Sequence, residues 1–178
     1  MATSEWSYGS LENEYGGDLL SDVDVKELFD KAFYEVTRKL VKIDFEKTSD
    51  EREKEEQSLL NQGCRELIET KGSMNSVVVC QFSEELYRFI TTTMNGGELP
   101  SEDELHLYLN EYMNIICGFA VSQMNNLTGT KSRLSVPQYF REGEHLDVSF
   151  QKKQRQRITY ESKYGMLHVF LFYSFQND

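Results

Sequence analysis

One long amphipathic segment, residues 101–126, constrains this chain more than any other part of its sequence. Ser101 is a good helix N-cap, and Glu104 stands three residues later, where a capping-box partner belongs. Apolar residues then recur at helical spacing, which predicts one long helix. Its buried stripe is Leu105, Leu109, Tyr112, Ile116, Ala120 and Met124.

The opposite face of this helix brings polar residues together. At roughly 100° per residue, Glu111 and Asn114 fall within about 60° of one another, so a carboxylate and a carboxamide lie side by side on a solvent-facing ridge. Gly118, one turn further on, leaves room above the backbone for a partner. Leu107 shares this face, and beside the Glu–Asn pair it is more typical of a docking surface than of an isolated exposed leucine.

The pattern Glu111-x-x-Asn114, followed after twenty-two residues by Pro137, resembles the motif of the CheC/CheX/FliY family of chemotaxis phosphatases. Two positions depart from that family. Leu107 stands where Asp or Ser is frequent, which alters partner choice or signals lost activity. Met113 replaces a small residue and lies nearer the buried stripe, which favours a packing change.

The resemblance covers roughly residues 22–175 and is closest to CheX, which carries a single copy of the motif. A strand, a serine-capped helix and a Gly-Gly stop precede the active helix in the same order as in CheX. In this chain they are residues 76–82, Ser83 to about Met94, and Gly96-Gly97.

The resemblance implies a phosphatase that acts on the aspartyl phosphate of a CheY-like response-regulator receiver domain. It assigns the Asn114 amide to orienting the attacking water and Glu111 to pairing with a receiver lysine, with Leu107, Gly118 and Pro137 in partner docking. These residue types suit the reaction, because phosphoryl transfer depends on positioning more than on covalent help. The receiver brings its own Mg²⁺, so no metal or organic cofactor is expected in this chain.

Composition is consistent with one globular domain at residues 22–178, preceded by a flexible acidic N-terminal tail at residues 1–21. Hydrophobic residues make up 39% of the chain, enough to fill a core. No apolar run is long enough to span a membrane and no leader is seen, so a cytoplasmic protein is expected. The net charge of −11 argues against nucleic-acid binding.

Cysteine and histidine residues give no metal-site pattern. The three cysteines have neither C-x-x-C spacing nor an even count, which favours reduced, partly buried thiols. The three histidines are scattered without ligand spacing. These residues are Cys64, Cys80, Cys117, His106, His145 and His168.

The remaining pattern predicts an α+β fold, with three main helices packed on a mixed, mostly antiparallel sheet, and the CheX resemblance suggests a homodimer. Asp24 caps a first helix that runs to about Leu40. Residues 66–70 favour a helix by local propensity and a strand by the resemblance; we adopt the strand, with Gly72 in the hairpin turn. Other strands are predicted at residues 43–46, 145–150, 155–161 and 166–175, and residues 134–137 are predicted to be a brief extended segment.

The last predicted strand is apolar on both faces, which indicates an interior position or pairing with a second subunit. Segment 47–57 is dense in charge and is interpreted as a solvated loop or helical insert. The basic residues of the penultimate strand and the segment before it are better explained by an exposed strand than by an anion site. They are Lys152, Lys153, Arg155 and Arg157.

Two alternatives to catalysis remain. Flagellar switch proteins related to this family lack the Glu–Asn pair and serve as scaffolds, so a non-catalytic interaction module of a two-component or flagellar-switch system is the main one. In the other, Glu111 and Asn114 are merely polar residues of a surface helix. A hydrolase with its own nucleophile is poorly supported, since the sequence has no Ser elbow and no P-loop.

Overall fold

The structure, a computed structural model, describes residues 24–48, 58, 60–146 and 154–176. The predicted tail at residues 1–21 lies outside the described residues, as do residues 49–57 of the charged segment. The described helices are α1 (Val25–Val41), α2 (Glu84–Met94) and α3 (Leu105–Thr128). The strands are β1 (Glu46–Thr48), β2 (Cys64–Gly72), β3 (Met74–Phe82), β4 (Ser132–Leu134), β5 (Gln138–Phe140), β6 (Gln154–Ser162) and β7 (Gly165–Phe175).

The strands form one sheet in the order β1-β6-β7-β3-β2-β4, with β5 paired to β2 beside β4. Every pairing among the described strands is antiparallel. Strand β7 lies between β6 and β3, which confirms the interior position inferred from its two apolar faces. The α+β prediction is confirmed, and the described part of the sheet contains none of the parallel pairs that a mixed sheet would add.

The hairpin of β2 and β3 resolves the ambiguous segment at residues 66–70 in favour of a strand. The two strands pair from Cys64 with Phe82 to Thr70 with Ser76, while β4 and β5 pair with the other edge of β2. Gly72 has a φ of 131°, and a Cβ at this position would lie 2.3 Å from the Lys131 carbonyl oxygen. Partners on both edges therefore override the local helical propensity of this segment.

The three helices cover one face of the sheet and enclose the main apolar core with it. Helices α1 and α3 pack together, and a hydrogen bond between the Thr37 and Tyr112 hydroxyls joins them inside the core. A smaller cluster covers the other face. Among the described helices, none is both long and apolar enough to cross a bilayer.

Helix α1 begins as its sequence predicts. The Asp24 carboxylate accepts a hydrogen bond from the Glu27 backbone N–H at 3.0 Å, and the helix ends at Val41, one residue beyond the predicted end. Helix α2 has the predicted position, and Gly96 and Gly97 are both at positive φ after its end. The predicted serine cap does not form, because Ser83 Oγ accepts from the Met166 backbone N–H at 3.1 Å and bonds no backbone N–H of the helix.

Helix α3 begins at Leu105, three residues later than a Ser101 N-cap predicts. The Ser101 hydroxyl donates to Glu104 Oε2 at 2.7 Å instead of capping a backbone N–H. The Ser101 backbone N–H donates to the same carboxylate, so half of the predicted capping box forms and residues 102–104 make a turn. At its other end the helix stops at Thr128, where Gly129 adopts φ 69°.

One strand prediction near a sheet edge is wrong in position. The strand predicted at residues 43–46 is β1, Glu46–Thr48; Ile43 and Phe45 are buried, so their spacing reflects core packing rather than strand pairing. The extended segment predicted at residues 134–137 overlaps β4 only at Leu134. Of the strand predicted at 145–150, residues 145 and 146 are not in a strand and the rest lie outside the described residues.

Candidate functional site

The two faces of α3 differ as its periodicity predicts. Tyr112 and Met113 are fully buried against the core. Glu111 and Asn114 are exposed, and neither side chain makes a hydrogen bond to a described residue. Leu107 is 56% exposed on the same outer face. The carboxylate and the carboxamide are therefore free to meet a partner.

A shallow groove of about 310 Å³ runs between α3 and the loop that joins β4 to β5. The loop wall includes Pro137 and Val136, which is 80% exposed. The fold thus brings the proline of the motif to the side of the Glu–Asn pair. The full lining is Leu107, Asn110, Glu111, Asn114, Leu134, Ser135, Val136 and Pro137.

Gly118 is the one predicted site residue that does not line this groove. A Cβ at this position would lie 3.7 Å from Leu134 Cδ1, which is ordinary van der Waals contact. The space above Gly118 is therefore next to the groove wall and is partly taken by Leu134.

The loop wall of the groove is fixed to the sheet. The Ser135 backbone N–H donates to the Glu69 carbonyl at 2.8 Å, and the Glu69 backbone N–H donates to Ser135 Oγ at 2.9 Å. Asn125 of α3 holds β4 through two hydrogen bonds to the Ser132 backbone, at 2.9 and 3.1 Å. Both walls are thus tied to one scaffold, which suits a site that works by positioning.

Sequence reasoning missed two residues beneath this groove. Asn110 lines the groove, and its amide lies within hydrogen-bonding distance of both carboxylate oxygens of Glu66, which is fully buried on β2. Burial raises the pKa of the Glu66 carboxyl to about 9. Asn110 precedes Glu111 by one residue and Asn114 by four, and that spacing is the signal that could have identified it.

The cysteines behave as buried thiols. All three are fully or nearly fully buried, and desolvation raises their pKa values, that of Cys64 to about 12. Within the described ranges, no group of three His, Cys, Asp or Glu side chains is arranged to hold a metal ion. That the chain binds no metal or organic cofactor of its own stays a prediction.

The basic residues of β6 lie against the sheet. The Arg155 guanidinium carbon is 5.9 Å from the centre of the Phe172 ring, and that of Arg157 is 5.6 Å from the Phe170 ring. These contacts agree with the strand interpretation of the basic residues. Lys152 and Lys153 lie outside the described residues.

Comparison with known proteins places this chain in a family. The model of the family "Chemotaxis phosphatase CheX" matches residues 66–161, which include α3, the groove and Pro137. No curated protein matches the sequence significantly.

Solved structures share the fold at low sequence identity. A chemotaxis protein CheX from Desulfovibrio desulfuricans superposes with a TM-score of 0.72 and 14% identity, over 85% of this chain and 100% of that one. CheX from Vibrio vulnificus gives 0.70 and 15%, over 85% and 97%. The CheX–CheY–BeF₃–Mg²⁺ complex from Borrelia burgdorferi gives 0.65 and 17%, over 85% and 98%.

The fold is that of CheX-like chemotaxis proteins. Since the family model spans more than half of the sequence, the chain belongs to the CheX family. The resemblance seen in the sequence is confirmed, including its preference for CheX.

Proposed function

We propose that this protein accelerates hydrolysis of the aspartyl phosphate on a CheY-like receiver domain. The observation that carries the proposal is the exposed pair Glu111 and Asn114 on a rigid helix, beside a groove whose far wall holds Pro137. The complex of a Borrelia burgdorferi CheX with CheY supports the choice of partner, since that structure shares this fold.

In the proposed reaction, a water oxygen attacks the phosphorus atom and the bond between phosphorus and the aspartate oxygen breaks. The products are inorganic phosphate and a free aspartate carboxylate on the receiver. The Asn114 amide accepts a hydrogen bond from the attacking water and donates to a phosphoryl oxygen, which holds the water in line without any change of ionisation. Glu111 forms an ion pair with a receiver lysine and so sets the docking angle.

We propose that the Mg²⁺ at the reacting phosphate is held by the receiver's own carboxylates, so that this chain needs no metal or organic cofactor. Metal analysis of protein purified without added salts tests this. Stoichiometric metal held by side chains of this chain would contradict the proposal.

The decisive experiment measures the lifetime of a phosphorylated receiver from the same organism, with and without this protein. Asn114→Ala should lower the acceleration about a hundredfold or more at saturating receiver, because the water loses its orienting group. Asn126→Ala is the matched control: it removes an exposed asparagine of the same helix about 18 Å away, and activity should not change.

Glu111→Ala should act on a different parameter. Loss of the proposed ion pair should raise KM and leave kcat near that of the parent, because the water-orienting amide remains. If Asn114→Ala were as active as the parent against its true receiver, catalysis by this site would have to be abandoned.

The competing proposal is a non-catalytic interaction module, and the exposed apolar side chains beside the pair favour it. Leu107 on the helix wall and Val136 on the loop wall of the groove are both exposed, and they suit protein docking whether or not turnover follows. This alternative predicts binding of the receiver with no change in its phosphate lifetime, so the same experiment separates the two.

We also propose that the protein forms a homodimer through sheet edges. In the described part of the sheet, β1 pairs with β6 only at residues 159–161, so residues 154–158 of β6 have a strand on one side alone. Sedimentation at micromolar concentration should give a dimer. A monomer, or an interface that covers Asn114, would contradict this arrangement.

A further inference from the structure

Asn110 connects the groove to a buried carboxyl group. Its side chain lines the groove beside Glu111 and lies one helical turn before Asn114. The near end of its amide is 2.8 Å from Glu66 Oε2 and 3.1 Å from Oε1. The far end of the planar amide points away from Glu66, on a residue that lines the groove.

Glu66 is an isolated acid in this position. It is fully buried on the helix-facing side of β2, and among the described residues its carboxyl has no hydrogen-bond partner other than Asn110. Among the described residues no cation lowers its pKa, and the buried Arg65 next to it donates to the carbonyls of Leu60, Arg141 and Glu144 on the other face. Among the described residues, the titratable groups around Glu66 are Cys64, Cys80 and Tyr139. Cys117 lies beside Cys80, and His106 lies beside Tyr139.

Two hydrogen-bond arrangements fit these distances, and the proton on Glu66 selects between them. An ionised carboxylate accepts from Asn110 Nδ2, which turns Oδ1 toward the groove. A protonated carboxyl donates to Asn110 Oδ1, which turns Nδ2 toward the groove. Burial raises the pKa of Glu66 to about 9, so the carboxyl is protonated at neutral pH. If Asn110 Nδ2 were turned toward Glu66 instead, the proton of the Glu66 carboxyl would be buried without an acceptor, which is costly.

We propose that Glu66 and Asn110 form a positioning pair, in which the protonated Glu66 carboxyl holds Asn110 Oδ1 and directs Asn110 Nδ2 into the groove. There the amide donates to an acceptor on the bound receiver, such as a phosphoryl oxygen or a backbone carbonyl, beside the water-orienting Asn114. This role in docking rests on the proposed function, whereas the orientation of the amide does not.

The first test needs no receiver. Full-length protein labelled with ¹³C at the Glu carboxyls and ¹⁵N at the Asn amides is titrated by NMR from pH 6 to 10. One carboxyl should titrate near pH 9 and be missing in Glu66→Gln, and the Asn110 Nδ2 resonance, assigned by its loss in Asn110→Ser, should shift with the same midpoint. Two results would contradict the proposed pair: a Glu66 carboxyl that is already ionised at neutral pH, or an Asn110 Nδ2 chemical shift that does not change as Glu66 titrates.

The second test measures binding to a receiver loaded with Mg²⁺ and BeF₃⁻, which mimics the phosphoryl group. Asn110→Ala should weaken binding about tenfold at pH 7, as expected for one lost hydrogen bond, with kcat little changed. Between pH 7 and 10 the parent should lose about tenfold in affinity relative to Glu66→Gln, whose amide can donate to Asn110 Oδ1 at any pH. Equal pH profiles for parent and variant would overturn the pair.

The two proposals can fail separately. A parent that binds the receiver but never shortens the phosphate lifetime contradicts the proposed function and leaves the pair standing. A parent that is active, with a Glu66 that titrates near pH 4, contradicts the pair and leaves the function standing.

Discussion

The two faces of α3 come from the same stretch of sequence and have opposite physical roles. On the inner face, Tyr112 and Met113 are fully buried and contribute to stability through packing. On the outer face, Glu111 and Asn114 are exposed and make no hydrogen bond to a described residue. The exposed pair is therefore held in place by the buried face of the same helix, whose side chains fix the helix and cannot touch the partner.

The largest effect expected from truncating one side chain comes from the inner face. Tyr112→Ala should lower the free energy of unfolding by about 3–5 kcal/mol, since it opens a cavity and leaves the Thr37 hydroxyl without its core partner. Urea unfolding measures this, with Asn114→Ala as the control that should stay within about 0.5 kcal/mol of the parent. Similar losses of unfolding free energy for both variants would mean that the outer face contributes as much to stability as the inner face.

A separate effect, which depends on pH, should come from the place where the two faces meet, at Glu66 and Asn110. Because the folded-state pKa of Glu66 is raised to about 9 from an ordinary value of 4.5, the folded state binds the proton more tightly. Its contribution to stability is complete below about pH 4.5 and is lost as the pH rises toward 9, by at most about 1.4 kcal/mol per pH unit.

The variant Glu66→Gln isolates this contribution, because it keeps the size of the side chain and cannot ionise. Its unfolding free energy should change less between pH 5 and pH 9 than that of the parent, as followed by urea unfolding at fixed ionic strength. If the unfolding free energies of the two proteins changed equally with pH, ionisation of Glu66 would not contribute to stability between pH 5 and pH 9.

The inner and outer faces of α3 could be predicted from the sequence, whereas the start of the helix could not. The stripe through Leu109 and Tyr112 is a local pattern with a fixed period, so the ridge with Glu111 and Asn114 could be predicted from it. The start of α3 could not, because the choice between a cap at Ser101 and a turn depends on which group the serine hydroxyl meets.

The strand β2 shows the other limit. Its segment favours a helix locally and becomes a strand because β3 lies on one edge and β4 and β5 on the other, and these are contacts at a distance in the sequence. Glu66 was missed for the same reason. A lone glutamate in an uncertain segment gives no indication of burial until the sheet places α3 above it.

The smallest effect we predict concerns docking at the rim of the groove. Leu107→Ala should weaken binding of the BeF₃⁻-loaded receiver about fivefold, which corresponds to about 1 kcal/mol of apolar contact, with kcat unchanged at saturating receiver. The matched control is Leu127→Ala, because Leu127 is 65% exposed on the same helix but lies far from the groove and on a different side. Since Leu107 is itself 56% exposed, neither change should affect stability much, and any loss of binding reports contact with the partner. Equal binding by the two variants would restrict docking to Glu111, Asn114 and the loop wall of the groove.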